Sequence, residues 1–218
     1  MLGLDRESYG QLKPRYRSAR RVEAIRRRPA LYVGALDDPQ LPGRLIVQGL
    51  CHALDRVADH KCTRVSVEVL GPRKARIEYD AGMPLAEKDG YQGRPAADVL
   101  LRVLYACRNA RSSPDVAKNA CSLGLPVLNA LSKSLIATTT SGGRTCRLAY
   151  RGGNLVEPIA YEAVAGPGWT RIEVTLDTQI LGEKAPLSRN AIERELHALY
   201  TGAPCLLGAV EVNERHSD

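Results

Sequence analysis

Apolar residues recur along this chain in two rhythms, one of three or four positions and one of two, and the rhythm switches several times. Residues 18–28 place Val22 and Ile25 on one side of a short helix that Pro29 ends. From 43 to 58, Ile46, Leu50, Ala53, Leu54 and Val57 keep the helical period, which predicts one helix. Gln48, His52 and Arg56 then share a face of it. Val65, Val67 and Val69 alternate with polar residues, Gly71-Pro72 turns the chain, and Ala75, Ile77 and Tyr79 alternate again, with Asp80 at the strand end.

Pro95 opens a helix carrying Val99, Leu100, Val103 and Leu104, followed by a polar loop from 108 to 118. Residues 123–131 read as a short buried helix. Strands follow over 135–140, 145–150, 155–161 and 171–176, with Gly142-Gly143 and Gly152-Gly153 suited to hairpin turns. Ser188 is a fitting N-cap for a helix with Ile192, Leu196 and Leu199 inward and Gly202 as its stop, before a last strand over 209–212. This mixture, with most strands late, predicts an α+β fold: a two-layer sandwich of a mixed sheet backed by helices. Residues 1–16 are expected to form a mobile basic arm and 17–218 a single domain.

Composition narrows the class. The 218 residues are 44% hydrophobic and 25% charged, as in globular proteins. No apolar run approaches the roughly 20 residues of a membrane span, and the charged N-terminus has no signal-peptide core, so a cytoplasmic protein without membrane contact is expected. Six scattered cysteines form no C-x-x-C pair, which points to buried, reduced thiols and no metal site. The net charge of +7 is concentrated in Arg6, Lys13, Arg15, Arg17, Arg20, Arg21, Arg26, Arg27 and Arg28. That crowding favours an anionic partner, nucleic acid among them, although a solvated basic face explains it equally well.

Val22-Glu23-Ala24-Ile25-Arg26-Arg27-Arg28-Pro29-Ala30-Leu31-Tyr32-Val33-Gly34 resembles the opening segment of the gyrase B and topoisomerase IV B subunits, close to E-A-V-R-K-R-P-G-M-Y-I-G. Further segments follow in that family's order: the helix over 45–59, Asp80-Ala81-Gly82, Gly93-Arg94-Pro95-Ala96, Leu128-Asn129-Ala130-Leu131-Ser132, and Gly166-Pro167-Gly168-Trp169-Thr170-Arg171-Ile172. Colinearity of several weak motifs is more specific than any one of them. The resemblance covers residues 22–215 and implies the ATPase fold shared with heat-shock chaperones, histidine kinases and mismatch-repair proteins, without the family's transducer or cleavage domains.

The same resemblance sets expectations for each site residue. The family's water-activating glutamate and magnesium-ligating asparagine fall at Gln48 and His52. An amide cannot take a proton from water at neutral pH, which removes the ~10²–10⁴-fold that general-base catalysis supplies. Imidazole is a poor ligand for magnesium, which prefers hard oxygen donors. Arg56 stands where the family has an acid, adding positive charge that suits an anion more than a cation. No catalytic residue and no magnesium are therefore expected.

Asp80 aligns with the family's adenine acceptor and Thr170 with its supporting threonine; Gly82, Met83, Pro84, Leu100, Gly124 and Ile172 complete the nucleotide-binding candidates. The alternative for Asp80, given less weight in this motif context, is a strand-end turn carboxylate. The family's glycine-rich phosphate loop corresponds to Lys118-Asn119-Ala120-Cys121-Ser122-Leu123-Gly124, where only Gly124 remains, and Arg56, Arg108 and Lys118 are the anion-binding candidates. The leading expectation is a degenerate ATPase-type domain that binds a protein partner, itself or a topoisomerase subunit. Residual binding of ATP or ADP is the second reading, and nucleic-acid binding through the basic segment the third.

Overall fold

The computed structural model describes residues 22–88, 91, 93–109, 123–183, 185–200, 206 and 208–215. The expected arm over 1–16, the arginine-rich residues before Val22, Lys118 and Gly202 lie outside them, as does the side chain of Arg108. The strands are β1 (Val65–Gly71), β2 (Lys74–Tyr79), β3 (Ser132–Ser141), β4 (Arg144–Arg151), β5 (Asn154–Leu155), β6 (Ala160–Ala163), β7 (Trp169–Leu176) and β8 (Val210–Glu214). They form one sheet in the order β5-β4-β3-β7-β2-β1-β8, with β6 also paired to β4. β8 runs parallel to β1 and the other pairings are antiparallel, so the sheet is mixed.

The helices are α1 (through residues 22–27), α2 (Ala30–Val33), α3 (Leu41–Gly49), α4 (Cys51–Ala58), α5 (Ala96–Arg102), α6 (Ala106–Asn109), α7 (Leu125–Ala130), α8 (Thr178–Leu181) and α9 (Arg189–Tyr200). Period-2 alternation turns Val65, Val67, Ala75, Ile77, Ile172 and Val174 toward the helices, where they join Leu45, Ile46, Leu50, Leu101, Leu128 and Ile192 in one core. Close packing requires small residues at the crossings. A Cβ on Gly43 would stand 2.6 Å from the Ala191 backbone, and one on Gly49 would stand 2.6 Å from the Leu128 side chain. The opposite face of the sheet is polar: Arg76 pairs with Glu68 at 3.1 Å and Glu173 at 2.9 Å, and Arg215 reaches Glu68 at 2.8 Å. One face carries the core and the other the ion pairs, which is the expected α+β two-layer arrangement.

Three elements differ from the sequence reading. The helix expected over 43–58 is two helices, because the Leu50 N–H bonds back three residues to the Val47 carbonyl at 3.0 Å and tightens the turn after Gly49. The strand expected over 155–161 is split into β5 and β6 around Pro158, which has no N–H for a ladder. α5 ends at Arg102, so Val103 and Leu104 lie in the connection to α6. Ser188 caps α9 as expected, its hydroxyl accepting from the Ala191 N–H at 3.2 Å.

Candidate functional site

Between α4, α5 and the β2–α5 connection lies a cleft of about 240 Å3. α4 contributes His52, Asp55 and Arg56; Pro84, Lys88 and Tyr91 come from the connection; Ala96, Val99 and Leu100 from α5, then Val103, Ala106 and Cys107, close the apolar side. One wall is thus aliphatic, and among the described residues the rim carries two cations and one carboxylate.

The row of residues on α3 and α4 is divided by the break at Leu50. Gln48 does not line the cleft: its Oε1 accepts the Gly124 backbone N–H at 3.0 Å, tying α3 to the entry of α7. Gly124 has φ +69°, a left-handed conformation that a side chain would strain, which is a local reason for the single glycine kept at the end of its run. His52 does line the cleft but is buried, with Nδ1 3.0 Å from the Tyr79 hydroxyl. Burial, reinforced by the Arg56 charge, lowers its pKa to about 3, so the ring is neutral at physiological pH. Arg56 is held by Asp59 at 2.9 Å.

The strand register settles which residue at the end of β2 faces the helices. Tyr79 lies directly opposite Thr170 of β7 and points inward, in the series of Ala75 and Ile77. Burial raises the pKa of its hydroxyl, against a lowering contact from Thr170. Asp80, one residue on, is exposed. Its carboxylate accepts from Cys62 Sγ at 2.9 Å, from the N–H groups of Thr63 at 2.9 Å and Arg64 at 3.1 Å, and from the Thr63 hydroxyl. Desolvation is the largest single influence and raises its pKa, but these bonds together outweigh it and hold the pKa well below the usual carboxylate range. Asp80 thus makes the bonds of a strand-end turn carboxylate, and Tyr79 is the residue at the end of β2 that points inward.

The other candidates divide into lining and framework. Pro84 and Leu100 line the cleft. Thr170 is fully buried, its hydroxyl donating to the Ala81 carbonyl at 2.7 Å and lying 2.9 Å from Thr139 Oγ1, which in turn accepts the Met83 N–H at 2.8 Å. These bonds fasten the connection after β2 to the sheet. Gly82 is required by packing, since a Cβ there would stand 2.0 Å from the Thr140 carbonyl oxygen. Ile172 is core, between Ile77 and Ala137 on the neighbouring strands.

Sequence reasoning passed over Asp55. It stands three residues after His52, the spacing that puts both on one side of a helix, and that spacing was the signal available. It also missed Asp98, a buried carboxylate that accepts from the Tyr150 hydroxyl at 2.7 Å and pairs with Arg94 behind the apolar wall. Magnesium is implied by the fold family, and the residues here do not fit it: on the row expected to hold it the groups are an amide used elsewhere, a neutral ring bonded to Tyr79 and a guanidinium. Among the described residues no group of three or more His, Cys, Asp or Glu stands together to hold a metal ion. Nor is any described helix long and apolar enough to cross a membrane.

No protein-family profile matches the chain. It is 31% identical over 153 residues to the novobiocin-resistant DNA gyrase B protein of Streptomyces niveus, covering 67% of this chain and 22% of that one. It is 26% identical over 163 residues to the DNA gyrase B protein of Campylobacter jejuni, covering 73% of this chain and 21% of that protein. With the DNA topoisomerase 4 B protein of Rickettsia felis it shares 26% over 189 residues, 83% of this chain and 28% of that one. The chain thus spans between about a fifth and somewhat over a quarter of the length of these relatives. Its structure is similar to the 43K ATPase domain of Thermus thermophilus gyrase B, solved with an aminocoumarin, at a TM-score of 0.68 and 22% identity over 90% of this chain and 50% of that one.

Proposed function

We propose that this chain, a homologue of the gyrase and topoisomerase IV B subunits with the fold of their ATPase domain, does not turn over ATP and acts by binding another protein chain. The observation that carries this reading is the His52–Tyr79 pair. Where the resemblance expects an oxygen that holds magnesium, the cleft has a neutral, buried ring whose inner nitrogen is already engaged. Gln48, at the position of the general base, carries no carboxylate and spends its amide oxygen on Gly124. The partner is a second copy or a topoisomerase subunit.

The test has two arms. Phosphate release from magnesium ATP is expected to stay at the buffer blank for the purified protein. Turnover that Asp55→Asn abolishes would overturn the reading, because it would identify the one carboxylate among the described lining residues as the working base. In the binding arm, gel filtration with purified gyrase and topoisomerase IV subunits is expected to give a co-eluting complex or a dimer of the chain, lost when residues 1–14 are deleted.

A second reading keeps the cleft as a ligand site. The aliphatic wall of Val99, Leu100 and Val103 beside Arg56 and Lys88 suits an anion with an apolar body, and an adenine nucleotide has that character. Calorimetry with ADP in the absence of magnesium tests it: heat that weakens in Lys88→Ala supports the reading, and no heat in the wild type ends it.

A further inference from the structure

We propose a second, separate site: a phosphate-class anion pocket, built around Lys133 and Arg151 on elements that do not line the cleft. It rests on none of the readings above. A depression of about 430 Å3 is lined by Arg26 of α1, Lys133 of β3, Arg151 and Gly152 of the β4–β5 hairpin, Asp177 after β7 and Gln179 of α8.

Among the described residues the pocket contains one carboxylate, and it is already satisfied. Asp177 accepts from Arg26 Nη2 at 2.7 Å and from the Gln179 N–H at 3.1 Å. Arg26 spends its other terminal nitrogen on the Ala130 carbonyl at 2.7 Å and lies against Gly152, where a Cβ would stand 3.1 Å from the guanidinium carbon. These two residues therefore form a neutral, rigid floor.

Lys133 and Arg151 are exposed, and among the described residues neither has a carboxylate within ion-pair distance. The backbone aims them there. β3 has an extra residue against β7, Ser132 pairing with Leu176 and Ser134 with Thr175, so Lys133 is the bulged position. A bulge re-aims a side chain, and this one turns Lys133 outward while Ser132 stays buried. Arg151 is held opposite Asn154 by the tight Gly152-Gly153 turn, with φ +54° and +76°, which fixes where its side chain leaves the strand. Two like charges with no neutralising carboxylate among the described residues, over a neutral floor, repel each other, and a bound dianion relieves that repulsion while a guanidinium and an ammonium meet its oxygens. A neutral or cationic ligand gains nothing from this arrangement.

Pyrophosphate is the probe, titrated by calorimetry at low ionic strength, with a fluorescent duplex oligonucleotide followed by anisotropy as the second arm. Pyrophosphate is expected to bind the wild type and to bind Lys133→Ala/Arg151→Ala at least about tenfold more weakly, as loss of charge-assisted bonds implies. Lys133→Arg/Arg151→Lys, which keeps both charges, is expected to retain most of the affinity. If only the duplex loses affinity in the alanine variant, the phosphate the pocket takes is that of a nucleic-acid backbone, and the site stands. Both substitutions are at exposed positions, so a thermal melt matching the wild type confirms that the comparison is between folded proteins. Equal binding of both probes by wild type and alanine variant, or no binding of either, overturns the proposal.

Discussion

The Tyr79 hydroxyl stands 3.0 Å from Nδ1 of His52, and both side chains are buried where the sheet meets α4. The pair joins residues 27 apart in sequence, and through His52 it adjoins the cleft. Removing one partner leaves a buried polar atom without its bond, the costly half of hydrogen-bond energetics. Tyr79→Phe is therefore expected to destabilise the fold by about 1–3 kcal/mol in urea unfolding. An unchanged midpoint would mean that the pair contributes nothing.

The same burial makes stability depend on acid. His52 has a folded-state pKa of about 3 against an ordinary 6.5, so between those values the unfolded chain binds the proton and the folded one does not. Its contribution is complete above 6.5 and is lost as the pH falls toward 3. From about pH 7 to about pH 4 this single group should lower stability by roughly 3 kcal/mol. In His52→Gln, where nothing titrates at that position, the fall over the same range should be smaller by that amount. Parallel pH profiles for the two proteins would exclude the mechanism.

Asp80→Ala separates the turn role from a role in the cleft. Four donors from Cys62, Thr63 and Arg64 converge on the carboxylate, so its loss should cost about 1–2 kcal/mol of stability. Any ligand that calorimetry finds in the cleft should bind the variant as it binds the wild type. A variant with wild-type stability and lost ligand binding would return Asp80 to the site.

Asp98→Asn probes the support behind the apolar wall. Asp98 is 1% exposed, bonded to Tyr150 and Arg94, with Arg102 Nη1 at 3.9 Å. Neutralising it strands buried guanidinium charge, which costs on the order of 3–5 kcal/mol when one partner of a buried pair is removed. A large drop in the thermal midpoint, followed by circular dichroism, is the expected result; a drop of a degree or two would show that solvent reaches the pair.

Much of the architecture was legible because it is local. Alternation at Val65, Val67 and Val69 and Ser188 as a cap depend on neighbours one to four residues away, and each produced the expected element; the helical spacing through Ile46 and Leu54 gave helix, though broken in two at Leu50. The alternation of Ala75, Ile77 and Tyr79 even held the parity that puts Asp80 on the other face, a signal outweighed by the motif match.

The colinear motifs, read from the amino acids alone, determined the kinship with the gyrase and topoisomerase IV B subunits, and periodicity determined the α+β sandwich. The tertiary structure decided where each site residue lies: Gln48 meets Gly124 76 positions on, Tyr79 rather than Asp80 meets His52, Asp55 enters the cleft, and Lys133 and Arg151 line one depression with Asp177. The reason is physical. Helix and strand periods follow from backbone geometry and adjacent side chains, whereas a contact across the fold depends on how a break such as that at Leu50, or a bulge such as that at Lys133, rotates everything after it.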